Sequence, residues 1–307
     1  MYHPGISNPP SIHATTRARM EWLGLANRVI RRTLVASGVS SEVVRIRDTD
    51  VHFYRAEKGG KGPPLLLVHG LGSSANAFFK TMVPLAKLFR SVVAIDLPGN
   101  GFSPTPARGP LPVREHLEIL SEFRRRMIGE PVFLLGNSLG GGMVLNFALQ
   151  EPQHVRALAL VAPAGARVAD DRFQGLLKSF HVDDAKQARV LANKLYAKPP
   201  LYILLFADEL RKMVSTDTVK SLVREVTPAD MFTPEQLSSL TMPTLLIWGR
   251  QEKLLPYEGL DFFRAHLPAN AEIHEVKGFG HMPQMEHPRA FIERVTKFAV
   301  ARGLVHA

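Results

Sequence analysis

The chain has 307 residues, 45% of them hydrophobic, and a formal net charge of +10. This length and apolar content suffice for one large globular domain, with or without an insertion. The sequence contains no cysteine, which excludes disulfides, thiol nucleophiles and thiolate metal sites and is typical of a cytoplasmic protein. No apolar run is long enough to span a membrane, and the polar, proline-containing residues 1–16 do not resemble a signal peptide. The positive charge alone does not predict a nucleic-acid partner, and we expect none.

Residues 1–41 form a basic segment ahead of the predicted sheet. Within it, residues 17–37 predict an amphipathic helix, because apolar residues recur at helical spacing with arginines between them. The apolar positions are Trp22, Ala26, Val29, Ile30 and Leu34, and the arginines are Arg19, Arg28, Arg31 and Arg32. Such a helix can lie on an anionic membrane surface as a peripheral contact. It can equally pack on its own domain or on the second subunit of a homodimer, so both alternatives stay open.

From residue 42 onward, strand-like and helix-like segments alternate. Residues 42–57 predict two strands joined by a turn at 48–50. Six further apolar runs predict strands that are buried on both faces; they are 65–70, 91–99, 131–137, 157–163, 244–249 and 271–278. Helical patterns fill most of the intervals between these runs. The predicted fold class is therefore α/β, with a mostly parallel eight-stranded sheet flanked by helices.

The alternation is interrupted once, at residues 164–240. This stretch has helical patterns throughout and is too long for a simple crossover, so we predict a helical cap inserted after the sixth strand. The predicted core then comprises residues 42–163 and 241–307. In the cap, Tyr202, Leu205 and Phe206 fall close together, and with Met282 they are candidates for binding an apolar substrate. The same side chains could instead form the small core that holds the cap in place.

The candidate nucleophile is Ser138, in the stretch GNSLG at residues 136–140. This stretch fits G-x-S-x-G and lies after an apolar strand and before a helix, which is the context that gives the motif its meaning. Small residues at both ends of the motif let the chain turn sharply, so that the serine hydroxyl projects at the carboxyl end of the sheet. The helix that follows directs its free N–H groups at any negative charge that develops there.

A serine nucleophile requires a base and an acid that orients the base. His281 follows the last predicted strand on a glycine-flanked loop, GFGHMP, where an imidazole could reach the serine. Glu252 follows the strand TLLIWG at the same edge of the sheet and is the favoured acid. Glu258 and Asp261 lie nearby and remain alternatives. His287 is expected to open the final helix, and His69 to support a turn.

An oxyanion hole requires two backbone N–H donors. One candidate is the N–H of Leu139, directly after the nucleophile. The other is the N–H of Leu71, within HGLG at residues 69–72, where glycines allow the backbone to approach a substrate closely. Because only the backbone of these residues would take part, a leucine at each position is compatible with the role.

Five segments together resemble the α/β-hydrolase fold enzymes, and the resemblance covers residues 42–303. In chain order they are HGLG at 69–72, DLPGNGFS at 96–103, GNSLGG at 136–141, WGRQEKLLP at 248–256 and GHMPQMEHP at 280–288. The resemblance implies a catalytic triad of Ser138, Glu252 and His281, an oxyanion hole, and neither cofactor nor metal. Among the family, the chain looks most like monoacylglycerol lipases and carboxylesterases, which implies a small ester or lipid-like substrate. Family members more often carry aspartate at the position of Glu252.

Other functions on the same fold compete with ester hydrolysis. GNSLGG also resembles hydrolases of carbon–carbon bonds, but those enzymes usually have Gly-Pro-Gly after the HG turn and tryptophan after the histidine. Here the turn continues as HGLGSSANAF, and Met282 follows His281. Haloalkane dehalogenase and epoxide hydrolase relatives use a carboxylate nucleophile, which Ser138 replaces. A non-catalytic binding protein on the same scaffold is disfavoured by the intact triad pattern.

Overall fold

The computed structural model describes the backbone of residues 12–306 and the side chains of residues 24–306. These residues contain one sheet of eight strands. The strands are β1 (Val39–Ile46), β2 (Thr49–Ala56), β3 (Leu65–Val68), β4 (Val92–Ile95), β5 (Val132–Asn137), β6 (Val155–Val161), β7 (Thr244–Gly249) and β8 (Glu272–Val276).

The strands are ordered β1-β2-β4-β3-β5-β6-β7-β8 across the sheet. β2 pairs antiparallel with β1 and with β4, whereas all pairs from β4 to β8 are parallel. The prediction of a mostly parallel eight-stranded sheet is therefore confirmed. Because the carboxyl ends of parallel strands share one edge, the loops after β3, β5, β7 and β8 meet there.

The α-helices surround this sheet. They are α1 (Ile12–Ala36), α2 (Met82–Leu85), α3 (Val113–Phe123), α4 (Leu139–Gln150), α5 (Asp170–Lys178), α6 (Ala185–Leu195), α7 (Leu201–Leu205), α8 (Ala207–Val214), α9 (Asp217–Glu225), α10 (Pro234–Ser238), α11 (Tyr257–His266), α12 (Pro283–Glu286) and α13 (Pro288–Ala301). A π-helical turn at Arg124–Ile128 continues α3, and short 3-10 helices lie at Ala75–Phe78, Pro152–His154 and Pro228–Asp230.

The central strands are apolar because helices cover both of their faces. Every residue of β3, β4, β5 and β7 is buried. Alternate residues of β3 enter different cores: Leu66 and Val68 pack with α3, α4 and α11, and Leu65 and Leu67 pack with α2 and α13. This two-sided burial anchors the strand ends from which the candidate site residues project.

The segment predicted as a cap, residues 164–240, contains α5 to α10 and the 3-10 helix at Pro228–Asp230. It has a small apolar cluster of its own, in which Leu191 of α6 and Val214 of α8 pack with Leu254, a residue of the loop after β7. The cap segment therefore contacts the loop that carries Glu252. The division of the chain into core and cap stays a prediction.

The helix predicted near the amino terminus is α1, and it packs on β1, on α8 and on the 3-10 helix at Ala75–Phe78. Leu34 is buried and Ile30 packs on the same core as Leu65, as their apolar spacing predicts. Val29, which the spacing predicts on the same apolar face, is 51% exposed. The side chains of Arg19 and Trp22 lie outside the described residues. Within residues 12–306, no helix combines the length and apolarity that crossing a membrane requires.

The first strand begins earlier than the sequence indicated. β1 starts at Val39, whereas the predicted sheet started at residue 42. Val39 pairs with Ala56 of β2, and Ser40 and Ser41 continue the same register. Two adjacent serines hide this start from a hydropathy pattern, because the pairing uses backbone groups only.

Candidate active site

Ser138 lies at a strained turn between β5 and α4. Its backbone has φ 57° and ψ −121°, in the region that favours glycine. The turn is held by backbone hydrogen bonds: the N–H of Ser138 donates to Val161 O (3.0 Å), and Ser138 O accepts from the N–H groups of Gly142 (3.0 Å) and Ala164 (2.9 Å). The strain is therefore imposed by the neighbouring strand and helix.

The glycines on either side of Ser138 allow this turn to close. A Cβ on Gly136 would lie 2.2 Å from the carbonyl oxygen of Gly140. A Cβ on Gly140 would lie 2.3 Å from the carbonyl oxygen of Val68 at the end of β3. Because rigid backbone occupies both places, no side chain fits at either end of the motif. Small residues are therefore required at 136 and 140, as predicted, because backbone atoms occupy the space that a side chain would need.

His281 and Glu252 lie on different loops, after β8 and β7, and the structure brings them together. Nδ1 of His281 is 2.7 Å from Oε2 of Glu252, and both side chains are 2% exposed. The other carboxylate oxygen of Glu252, Oε1, accepts the N–H groups of Leu254 (2.7 Å) and Leu255 (3.0 Å). The loop thus fixes the carboxylate, and the carboxylate holds Nδ1 of the imidazole as a donor, leaving Nε2 free to act as a base.

Two cavities meet at Ser138. The larger, of about 420 Å³, is lined by Ser138, Leu71, His281 and Met282 together with residues of α1, α7 and α8. The smaller, of about 110 Å³, is lined by Ser138, Leu71 and Leu139 together with apolar residues of α5, α9 and α11. We call them the large and the small cavity. Of the described residues that line either one, none is arginine or lysine.

The two candidate oxyanion donors lie on the walls of these cavities, next to the serine. A Cβ on Gly70 would lie 3.1 Å from Cβ of Ser138, so the HGLG backbone approaches the serine closely. Leu139 is the first residue of α4, where an N–H has no partner within its helix. Within residues 12–306, neither Leu71 nor Leu139 donates its N–H to another backbone group. Both N–H groups remain available for a ligand.

The predicted cap contacts divide into two groups. Tyr202, Phe206 and Met282 line the large cavity. Leu205 lines neither cavity and is 67% exposed, so its prediction as a substrate contact needs correction. Tyr202 lies on α7 and Phe206 directly follows that helix, and both line the cavity, whereas Leu205, the last residue of α7, is turned away from it. We assign Leu205 to the outer surface of the cap segment.

A buried amide, which the sequence pattern did not predict as a site residue, ties the turn at Ser138 to the loop that carries His281. Nδ2 of Asn137 donates to the carbonyl oxygens of His281 (3.0 Å) and Val161 (3.1 Å). Gln284 in turn donates from Nε2 to Oδ1 of Asn137 (3.1 Å). The only sequence signal was a polar residue directly before the serine, at the end of an otherwise apolar strand.

Glu286 is a second missed residue, and it joins the histidine loop to the cap segment. Its carboxylate accepts the N–H of Gly280 (3.1 Å) and the N–H of Ala197 (2.7 Å). Burial raises the pKa of this carboxyl above its ordinary value, although the hydrogen bonds oppose the shift. The position of His281 therefore depends on where the cap segment lies.

His69 supports the loops around the site, as the sequence predicted. Its Nε2 accepts the N–H of Leu97 (3.1 Å), and burial lowers the pKa of the ring. Asp96 joins the same loops, because its carboxylate accepts the N–H groups of Ala75 (2.7 Å) and Phe102 (2.9 Å). The turn that carries Leu71 and the turn DLPGNGFS are thereby fixed to each other.

Comparison with known proteins identifies the family. The profile of the α/β hydrolase fold family matches residues 63–288, which include all three candidate triad residues. The chain belongs to the α/β hydrolase fold family. The residues that the structure describes contain no group of three or more histidine, aspartate or glutamate side chains that could hold a metal ion.

This α/β hydrolase is similar to enzymes named as an esterase, as a lipase and as a dienedioate hydrolase. It is 27% identical to the pimeloyl-[acyl-carrier protein] methyl ester esterase of Aeromonas hydrophila, over 79% of this chain and 97% of that one. It is 24% identical to monoacylglycerol lipase ABHD6 of Bos taurus, over 87% and 83%. It is also 28% identical to a 2-hydroxy-6-oxononadienedioate/2-hydroxy-6-oxononatrienedioate hydrolase of Cupriavidus pinatubonensis, over 84% and 95%.

Among solved structures, the hydrolase resembles one described as a membrane phospholipase A and bacterial virulence factor. The TM-score is 0.81, the identity is 22%, and the match covers 95% of this chain and 96% of the other. At this identity the likeness shows a shared fold. The family match and the names of these relatives together identify this chain as a hydrolase.

Proposed function

We propose that this hydrolase cleaves carboxylic esters with apolar, lipid-like groups, through an acyl-enzyme formed on Ser138. The observation that carries the proposal is the placement of Ser138, His281 and the HGLG turn on one cavity, with Glu252 buried behind the histidine. This arrangement supplies a nucleophile, a base, an orienting acid and backbone donors. Those are the parts that acyl transfer to water requires.

In the proposed reaction, Nε2 of His281 removes the proton from Oγ of Ser138, and Oγ attacks the ester carbonyl carbon. The N–H groups of Leu71 and Leu139 stabilise the negative charge on the carbonyl oxygen. The ester C–O bond breaks, and the alcohol leaves with the proton from His281. Water then attacks the acyl-enzyme by the same route, which releases the carboxylic acid and restores Ser138.

Hydrolysis of a carbon–carbon bond is the alternative function. The relative of that class carries a dienedioate in its name, which denotes a substrate with two carboxylates. Burial of a carboxylate requires a compensating charge or a set of donors. The described residues that line the two cavities include neither arginine nor lysine, which supports an uncharged ester over a dienedioate.

A substrate panel tests the proposal. We expect hydrolysis of p-nitrophenyl esters from acetyl to palmitoyl, with kcat/KM rising as the acyl chain fills apolar surface next to Ser138. A ring-cleavage dienoate, measured with the same enzyme preparation, should be turned over at the uncatalysed rate. If the dienoate is instead the better substrate, the ranking of the two functions is reversed.

We further propose that the hydrolase contacts a membrane surface through α1 and α7, as a peripheral protein. The two helices expose large apolar side chains: Leu25 at 43% and Val29 at 51% on α1, and Leu201 at 70% and Leu205 at 67% on α7. Residues of both helices also line the large cavity. Arg28, Arg31 and Arg32 of α1 supply positive charge that favours an anionic lipid surface. A lipid at this surface would lie next to the cavity.

Co-sedimentation with vesicles tests this contact. We expect binding to vesicles that contain phosphatidylserine, and weaker binding at high salt because the arginines are screened. Leu201→Asp together with Leu205→Asp should lower the binding constant at least about tenfold, because two apolar side chains leave the bilayer interface. Val190→Asp is the matched control, since Val190 is 54% exposed on α6. Absence of binding at low salt would contradict the proposal.

A cytoplasmic location and a homodimer also stay predictions.

A further inference from the structure

The two cavities that meet at Ser138 differ in which groups of the proposed reaction lie on their walls. His281 lines the large cavity but not the small one, whereas Leu139 lines the small cavity but not the large one. The reacting serine therefore lies at the junction of the cavities, with the proposed base on the side of the large cavity. Four of the described residues line both cavities: Ser138, Leu71, Phe180 and Leu254.

The walls of the two cavities also differ in polarity and exposure. Among the described residues that line the small cavity, only Ser138 and Trp248 have a nitrogen or oxygen atom in the side chain, and all are buried or half-buried. The wall of the large cavity includes Tyr202 and Phe206, which are 54% and 48% exposed. The small cavity is therefore suited to a hydrocarbon chain, whereas the large cavity extends to the surface of the protein.

The volumes of the cavities limit the chains that each can hold. An apolar cavity of about 150 Å³ holds one benzene molecule, which has six carbon atoms. On this scale the small cavity, of about 110 Å³, holds roughly four or five carbon atoms. The large cavity, of about 420 Å³, holds roughly sixteen. A substrate whose two arms meet at Ser138 can therefore have one short arm and one long arm.

The chemistry at Ser138 decides which arm of an ester enters which cavity. The leaving alcohol takes its proton from His281, so the leaving oxygen must lie within hydrogen-bond reach of that imidazole. Because His281 lines the large cavity, the alcohol arm extends into that cavity. The carbonyl oxygen faces the N–H groups of Leu71 and Leu139. The direction that remains for the acyl arm is the small cavity.

We propose that the small cavity is the acyl site of this hydrolase and that the large cavity holds the alcohol. This inference rests on the proposed ester hydrolysis and adds the lengths of the two arms. The preferred substrates are esters of a short acid, up to about six carbon atoms with the carbonyl carbon included, and a long apolar alcohol. Such an ester is the reverse of a monoacylglycerol, whose long arm is the acid. Among p-nitrophenyl esters, the rise of kcat/KM with acyl length therefore ends at about hexanoyl.

Two isomeric esters test the inference. Octyl butanoate and butyl octanoate contain the same atoms, but the lengths of acid and alcohol are exchanged. Both can place the short arm in the small cavity, and only octyl butanoate then has its leaving oxygen next to His281. We expect the full-length wild-type protein to hydrolyse octyl butanoate with a kcat at least about tenfold higher, at a similar KM. Equal kcat values, or a higher kcat for butyl octanoate, would overturn the inference.

Variants of the small cavity locate the limit on acyl length. Leu177 of α5 and Ala166 are half-buried and line the small cavity but not the large one. Leu177→Ala enlarges the small cavity, so the longest acyl chain that is hydrolysed well should become about two carbon atoms longer. Ala166→Leu fills the same cavity and should shorten this limit by a similar amount.

Leu210→Ala is the matched control for these variants, because Leu210 lines the large cavity but not the small one. It should change the dependence of kcat/KM on alcohol length and leave the limit on acyl length in place. The thermal midpoint shows whether each variant folds. A limit on acyl length that is unchanged in folded Leu177→Ala and folded Ala166→Leu would also overturn the inference.

A crystal structure separates this inference from the proposed function. Ser138→Ala is crystallised with each isomer, since this variant keeps both cavities but cannot form the acyl-enzyme. We expect the short arm in the small cavity and the long arm in the large cavity in both complexes, with the ester group reversed between them. A long arm in the small cavity would overturn the inference even if wild-type protein hydrolyses both esters. Arms placed as expected, with neither ester hydrolysed by wild-type protein, would retain the two arm sites and reject ester hydrolysis.

Discussion

Ser138→Ala is expected to lower kcat for ester hydrolysis roughly a million-fold, which is the size of the loss when a serine nucleophile is removed. The substitution leaves water and the backbone donors in place but removes the atom that would form the acyl-enzyme. The fold should persist, because backbone hydrogen bonds hold the turn at residue 138. Alanine meets the same positive φ that serine already adopts there, so the backbone strain does not change.

The measurement is esterase activity together with labelling by a fluorophosphonate. Wild-type protein should be labelled at a single serine, and Ser138→Ala should not be labelled, with an unchanged thermal midpoint. Ser239→Ala serves as the control, since this serine follows α10 and its hydroxyl donates to the carbonyl oxygen of Gln236. Peptide mapping decides the remaining alternative: Ser73 and Ser74 line the large cavity, and a label on either would assign the nucleophile elsewhere.

The parts of the fold that a local pattern encodes could be predicted from the sequence. Apolar runs such as LLLV and TLLIWG coincide with β3 and β7, because strands buried on both faces need apolar residues on both. The sharp turn at Ser138 was equally readable, since glycines at 136 and 140 are needed by backbone contact. Such features depend on neighbours that are close in sequence.

The sequence favoured Glu252 among three carboxylates but left the other two open. Glu252, Glu258 and Asp261 all follow β7, and the structure shows where each side chain lies. In the structure, Glu258 is 3.3 Å from Arg172 and Asp261 is 2.9 Å from Arg264, all on the surface. Glu252 alone of the three turns inward to His281. The N–H groups of Leu254 and Leu255 select that direction, and the sequence does not display such a loop conformation.

Contacts between distant parts of the chain were beyond sequence reasoning for a similar reason. Asn137 reaches the backbone of His281, and Glu286 reaches the backbone of Ala197. The contact of α1 with the large cavity is another long-range contact of this kind. Hydropathy predicted that α1 is amphipathic, but it did not show that small and polar residues of this helix line a cavity. Leu205 and Phe206 were grouped by adjacency, although a helix directs adjacent residues to different sides.

Glu252→Gln is expected to lower kcat about ten-thousand-fold, the effect of replacing a triad carboxylate by its amide. The geometry gives the reason. The amide oxygen of glutamine can still accept from Leu254 and Leu255, which places the amide nitrogen where Oε2 faces Nδ1 of His281. A donor at that place makes Nδ1 an acceptor, so the ring proton moves to Nε2 and the imidazole can no longer take the proton of Ser138.

The measurement is kcat for the best ester of the panel, with the thermal midpoint recorded for each variant. Glu258→Gln is the matched control, because it makes the same chemical change on a carboxylate that pairs with Arg172 at the surface. We expect this control to keep the wild-type kcat, since Glu252 alone of the three carboxylates contacts His281. It should also keep the thermal midpoint, because an exposed ion pair contributes little to stability. Near-normal kcat in Glu252→Gln, combined with loss of activity in Glu258→Gln or Asp261→Asn, would transfer the orienting role to that other carboxylate. Loss of activity in Glu252→Gln alone, at an unchanged thermal midpoint, would show that the buried carboxylate acts on the imidazole rather than on the fold.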